Sequence, residues 1–220
     1  MIARHLITEE IFPLKTSNTG EEAISLMEEL KVSHLPIVNG ENLLGLISEQ
    51  DIYDLNSLKQ PLGNHNLSLK HPFVNEHQHL YDVLKLVSNL KLTLIPVLDD
   101  HQKYLGCVSM RKLVTYLANS FALENPGGII VLEMSENDYN LAEIAQIVQS
   151  NDAKVLSLFL ASHPESTRLE VAIKLNKTDT GSILQTFDRY GYYVKASFGE
   201  EDDLESLKEN YDSLINYLNI

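Results

Sequence analysis

The sequence predicts an α+β chain in which two copies of one helix, strand, strand, helix unit are followed by a region of different rhythm, read as βαββαβ. Three observations lead there. ELKVSHLPIV (29–38) lies over NLKLTLIPVL (89–98) at an offset of 60, and LLGLIS (43–48) lies over YLGCVS (104–109) at an offset of 61. A repeat of this period is one supersecondary unit used twice. The chain has 220 residues, beyond the roughly 100 to 150 of a typical single domain, so it has room for two cores. After Pro126-Gly127-Gly128 the apolar pattern changes to longer alternating runs, which marks a boundary.

In the first copy, Thr19 followed three residues on by Glu22 is a capping-box pattern, and Ala23, Ile24, Met27 and Leu30 recur on one helical face. The apolar runs 35–38 and 43–47 flank Asn39-Gly40, a strong hairpin signal, and a second helix is predicted over 49–58. In the second copy, Leu80, Val83, Leu84, Val87 and Leu90 form the helical face, strands follow near 94–98 and 104–108, and a helix runs over 110–119. The one-residue slip between copies falls in the turn, where Asn39-Gly40 faces Asp99-Asp100, and turns tolerate insertions.

Beyond the boundary, IIVLEM is a strand, and Asn140 with Glu143 caps a helix bearing Leu141, Ile144, Ala145 and Val148. AKVLSLFLA is a second strand. RLEVAIKL alternates Leu169, Val171, Ile173 and Leu175 inward against Arg168, Glu170 and Lys174 outward. Thr178 opens another helix, Gly191 closes it and YYVKASF is the fourth strand. That order is the split-βαβ, ferredoxin-like arrangement. An acidic helix over about 203–217 carries Leu204, Leu207, Tyr211, Leu214 and Leu218 on one stripe. The expected division is 1–62, first repeat; 63–122, second repeat; 123–128, linker; 129–199, third domain; and 200–220, terminal helix.

Composition excludes several functions. Seventeen Lys and Arg against thirty-one Asp and Glu give a net charge of −14, a field that repels phosphate backbones, so no nucleic-acid partner is expected. No apolar run approaches the ~20 residues of a membrane span and the start lacks a signal-peptide pattern, so no membrane partner and a cytoplasmic location are expected. Cys107 is the only cysteine and has apolar neighbours, which reads as a small buried side chain. His65, His71, His77, His79 and His101 match no usual metal-ligand spacing, so no metal site is expected. Nothing resembles a P-loop, a nucleophile elbow or a supported Ser-His-Asp set, and the chain is expected not to be an enzyme.

The polar residues that carry chemistry stand where each hairpin gives way to a helix. Tandem copies with a mid-strand proline, Pro36 and Pro96, and a Gly-x-x-Ser resemble a pair of CBS domains, over residues 1 to about 122. The family signature, Gly-hydrophobic-x-Thr/Ser-x-x-Asp, is complete as Gly45-Leu46-Ile47-Ser48-Glu49-Gln50-Asp51. The resemblance implies an adenosyl ligand in a cleft between the repeats, held by Gly45, Ile47, Ser48, Asp51, His34 and Pro36. The glycine would allow close approach, the serine hydroxyl and helix-start amides would suit a phosphate, and the aspartate would accept both ribose hydroxyls. His34 stands where some members face a phosphate; the other reading is a strand-edge histidine facing solvent.

The second copy keeps Gly106 and Ser109 but has Lys112 in place of the aspartate. A cation cannot accept those hydroxyls, so Ser109, Arg111 and Lys112 form at most a second, different site in which the two cations hold a phosphate or pair with local acids. One competent site is expected. No resident cofactor is implied; AMP, ADP, ATP or S-adenosylmethionine are the implied effectors.

Residues 128–198 resemble an ACT domain, SENDYNLAEIAQIV aligning with its first loop and helix. Tyr139-Asn140 replaces the usual Pro-Gly, which favours dimerisation over amino-acid binding, and a homodimer is expected. CBS, CBS, ACT in that order resembles the acetoin-utilisation B-type proteins. Two functional readings stand: a regulatory sensor that signals to a partner, and a non-catalytic dimerisation module with a degenerate site.

Overall fold

The computed structural model describes residues 1–55, 57–64, 72–162 and 167–199. It divides into two units, Met1–Tyr116 and Leu117–Ile220. In the first, helix α1 (Gly20–Leu30) starts from the predicted capping box, Thr19 and Glu22 each accepting the other's backbone N–H. It stops where Lys31 turns left-handed at φ 55 and the Val32 N–H reaches back to the Met27 carbonyl at 3.0 Å. Strands β1 (His34–Asn39) and β2 (Asn42–Ser48) then form an antiparallel hairpin, with Gly40 left-handed at φ +62 in the turn.

Helix α2 (Glu49–Tyr53) is shorter than the span predicted over 49–58. The reason is tertiary. The Leu58 carbonyl is taken by the Glu21 N–H at 3.1 Å, and Pro61 bridges to Thr19. The chain must leave the helix to reach the start of α1.

The second copy repeats the pattern. A short strand β3 (Val74–Asn75) precedes α3 (Leu80–Asn89), hairpin β4 (Leu94–Leu98) and β5 (Tyr104–Ser109), and helix α4 (Met110–Ser120). Lys91 is left-handed at φ 52 and the Leu92 N–H returns to Val87 at 2.9 Å, sixty positions after their counterparts. Strand β3, too short to be legible in sequence, runs parallel to β4, and Leu14 makes the matching parallel bridge to Ile37 in the first copy. Both hairpins carry a bulge at equivalent places, between Ile37 and Val38 and between Val97 and Leu98.

The leading segments of the two copies are exchanged. Residues 1–8 sit on the second copy: Ile2 bridges His79, the Ala3 N–H donates to Gln78, and the Thr8 N–H donates to Cys107 at 2.8 Å. Pro61, Leu62 and Gly63 sit on the first, the latter two donating to Asn18 and Thr16. Between the copies, the Ser33 N–H donates to Thr93 Oγ1 at 3.0 Å, and at the far end Asn42 bridges Lys103 while the Tyr104 N–H donates to Glu41 at 2.8 Å. Ser33 with Thr93 and Asn42 with Lys103 are repeat-equivalent pairs, so a pseudo-twofold axis runs between them. The buried residues Leu35, Ile37, Leu46, Ile47, Leu94, Ile95, Val97 and Val108 make the paired core.

In the second unit, strands β6 (Ile129–Ser135), β7 (Val155–Ser162), β8 (Arg168–Leu175) and β9 (Tyr193–Phe198) form one antiparallel sheet in the order β7-β8-β6-β9. Helices α5 (Leu141–Ser150) and α6 (Gly181–Arg189) complete a βαββαβ sequence. Asn140 caps α5, its Oδ1 accepting from the Glu143 N–H at 3.3 Å, as predicted. Leu169, Val171, Ile173 and Leu175 are buried with Ile144, Ile147, Val148, Ile183 and Phe187. Helix α6 begins at Gly181 rather than at Thr178, because Asp179 Oδ1 accepts the Gly181 N–H and Thr180 is buried with its hydroxyl 3.3 Å from Ser197 Oγ. The leucine and tyrosine stripe predicted over 203–217 lies outside the described residues.

Candidate functional site

The strand-to-helix junction of the first copy is organised by Ser48. Its φ of −97 and ψ of 160 place it at the N-cap of α2, and it forms a reciprocal box with Asp51. Asp51 Oδ2 accepts from the Ser48 N–H at 2.8 Å and from the Ser48 hydroxyl at 2.7 Å, while Ser48 Oγ accepts from the Asp51 N–H at 3.1 Å. The Glu49 N–H donates to the Ser33 carbonyl at 2.9 Å. The helix-start amides of Ser48, Glu49 and Asp51, which the sequence offered to a phosphate, are therefore already used by the protein.

In front of this junction lies a cleft of about 430 Å³ lined by Ser33, His34, Ser48, Glu49, Gln50 and Tyr53. His34 is half-buried rather than a solvent-facing edge residue. Its Nδ1 accepts from the Thr93 N–H at 3.3 Å and lies 3.0 Å from Thr93 Oγ1, so the ring ties the first copy to the second. Burial holds its pKa below the ordinary imidazole value of 6.5, against a smaller opposing pull from Asp51. Its repeat equivalent, Leu94, is wholly buried. A neighbouring cleft of about 330 Å³ shares Ser33 and Glu49 and adds Ile24, Met27, Glu28, Lys31 and Val32.

Asp51 lies behind Ser48 and does not line this cleft, and neither do the other residues singled out in sequence. Ile47 pairs with Leu35 and is 1% exposed, and Pro36 is buried with its carbonyl accepting the Leu14 N–H. Gly45 is buried opposite Ile37. At its equivalent, Gly106, φ is +150 and an added Cβ would stand 2.6 Å from Ile7 Cγ2. The close approach that the glycine permits there is made by this chain's own leading segment.

The second copy's junction differs. Ser109 is 7% exposed and only half of the box is present, its Oγ accepting the Lys112 N–H at 3.2 Å. Arg111 pairs with Glu10, and Lys112 is exposed. Of the alternatives left open in sequence, Arg111 takes the local acid. Glu10 was not anticipated, since 101 residues separate the partners.

The scattered histidines have other work: His79 Nδ1 caps α3, accepting from Tyr81, and His77 lies 3.5 Å from Asp100, with His65 and His71 outside the described residues. Among the described residues no group of three or more His, Cys, Asp or Glu is placed to hold a metal, and no helix is long and apolar enough to cross a membrane. Cys107 is buried against Tyr104, and burial pushes its thiol up to about 12.

The CBS domain family model matches residues 3–57 and 67–119. The chain is 21% identical over 119 residues to an uncharacterized protein of Methanocaldococcus jannaschii, covering 51% of this chain and 38% of that one. It is 22% identical over 117 residues to the inosine-5'-monophosphate dehydrogenase of the same organism, covering 51% and 23%. The chain thus spans well under half the length of these relatives. Among solved structures it is similar to a CBS domain pair/ACT domain protein of Thermotoga maritima, at 22% identity and TM-score 0.49 over 54% of this chain and 98% of that one. It is also similar to a Vibrio cholerae chain named for acetoin utilization (AcuB), at 23% identity and TM-score 0.48 over 56% and 95%. The repeat and the family match agree: the chain carries a tandem pair of CBS domains over residues 3–57 and 67–119.

Proposed function

We propose that the CBS pair is a regulatory sensor that binds an adenine nucleotide or other adenosyl compound at the first repeat and passes the event to a protein partner. One observation carries this reading: the repeat with the complete Gly45 to Asp51 signature also opens a cleft in which Ser48 meets His34, while the other repeat has Lys112 for the aspartate and a buried Ser109. The adenosyl ribose is held by Asp51 in exchange for the Ser48 hydroxyl, and His34, anchored on Thr93, senses the cleft from the second repeat. Ser109, Arg111 and Lys112 form no equivalent site. Calorimetry with AMP, ADP, ATP and S-adenosylmethionine tests this: one ligand per chain is expected, and two equivalent sites or no binding would overturn it.

The βαββαβ unit is read as an ACT-like, ferredoxin-like domain that dimerises, in a cytoplasmic, non-catalytic protein. Its exposed Phe159 and Phe198 support an interface on a second copy. Light scattering is expected to give about 50 kDa, twice the 24.8 kDa chain. A second reading, a structural module without ligand, is favoured by the completeness of the Ser48–Asp51 box, which leaves both residues an architectural role.

A further inference from the structure

If the first-repeat cleft takes an adenosyl ligand, as proposed above, its walls say which kind. Three features converge at the end where a phosphate tail would lie. The amides of Ser48, Glu49 and Asp51 are bonded to Asp51, Ser33 and Ser48 within the protein. The described lining contains no lysine or arginine, and Glu49 is its only carboxylate. Glu49 is fixed there by the Tyr53 hydroxyl, which donates to its Oε1 at 3.1 Å, and it also faces the adjoining cleft, where Lys31 is outnumbered by Glu28 and Glu49 itself. His34, the remaining side chain able to carry a positive charge, has Nδ1 3.3 Å from the Thr93 N–H, and burial lowers its pKa, which favours the neutral ring. The chain's net charge of −14 adds a repulsive background.

Polyphosphate needs the opposite: unpaired amides, cations or a metal held by the protein. We infer that the cleft rejects polyphosphate, that its ligand is an adenosyl compound whose tail is neutral, cationic or singly phosphorylated, and that Glu49 sets this limit. An added anionic oxygen about 4 Å from a carboxylate costs on the order of a factor of five in affinity even in water. The discrimination therefore rests on charge rather than on size.

The test is calorimetry at fixed ionic strength with adenosine, AMP, S-adenosylmethionine and ATP, on the wild-type chain and on Glu49→Gln and Glu49→Asp. Wild type should bind ATP about fivefold or more weakly than AMP. Glu49→Gln should close most of that gap while Glu49→Asp keeps it, with melting curves showing both variants folded. ATP binding as tightly as AMP to wild type, or an unchanged ratio in folded Glu49→Gln, would overturn the inference and leave the adenosyl reading standing. Binding of none of the four compounds would remove both.

Discussion

Ser33 and Thr93 occupy the same place in the two repeats, and they meet: the Ser33 N–H donates to Thr93 Oγ1 at 3.0 Å. The next residue, His34, uses the same hydroxyl, lying 3.0 Å from it. A single threonine thus joins the interface between repeats to the side chain that walls the cleft.

Asp51 caps α2 and, in the function proposed above, also accepts the ribose hydroxyls, so Asp51→Ala should show two effects. Loss of the reciprocal cap should lower ligand-free stability by about 1 kcal/mol, a fall of a few degrees in melting temperature. Loss of the ribose acceptor should weaken an adenosyl ligand by about ten- to a hundredfold. Melting and calorimetry on one sample check both; a destabilised variant of unchanged affinity would favour the structural module.

The His34 contact should make stability depend on pH. Burial lowers the folded pKa below 6.5, Asp51 opposing, so the folded state prefers the neutral ring and the unfolded state binds more protons in that window. The contribution is complete above the unfolded pKa and is lost as pH falls through the folded one. Urea melts at pH 7.5 and 5.5 should show His34→Gln losing less stability on acidification than wild type. Equal losses would mean that His34 is not the titrating group.

At Gly106, a methyl group has no room. Gly106→Ala combines an unfavourable φ of +150 with a Cβ 2.6 Å from Ile7 Cγ2, and should cost about 1 to 3 kcal/mol. Adding Ile7→Ala should recover part of that loss, whereas Ile7→Ala alone should be destabilising. Strictly additive effects of the two changes would argue against the contact.

The sequence by itself determined the elements whose cause is local. The capping residues Thr19 and Asn140 are followed by their N3 partners, the alternation from Arg168 to Leu175 is a period of two, and the offset of 60 exposes the repeat. The signature around Ser48 was legible for the same reason, since four constrained positions in seven fix a strand end, a cap and an acceptor.

Tertiary structure decided what depends on closing long loops. No periodic pattern announces that Ile2 will lie on His79, that Pro61 will lie on Thr19 and so end α2 at Tyr53, or that Glu10 will take Arg111. It also decided the character of the cleft. Glu49 stands at an unconstrained position of the motif, and the part proposed for it could be argued only once the amides of Ser48, Glu49 and Asp51 were seen to be bonded within the protein and His34 to lie on Thr93. Hydrogen-bond satisfaction is a property of the folded whole: a donor offered by the sequence is available to a ligand only if no nearer acceptor in the chain has taken it.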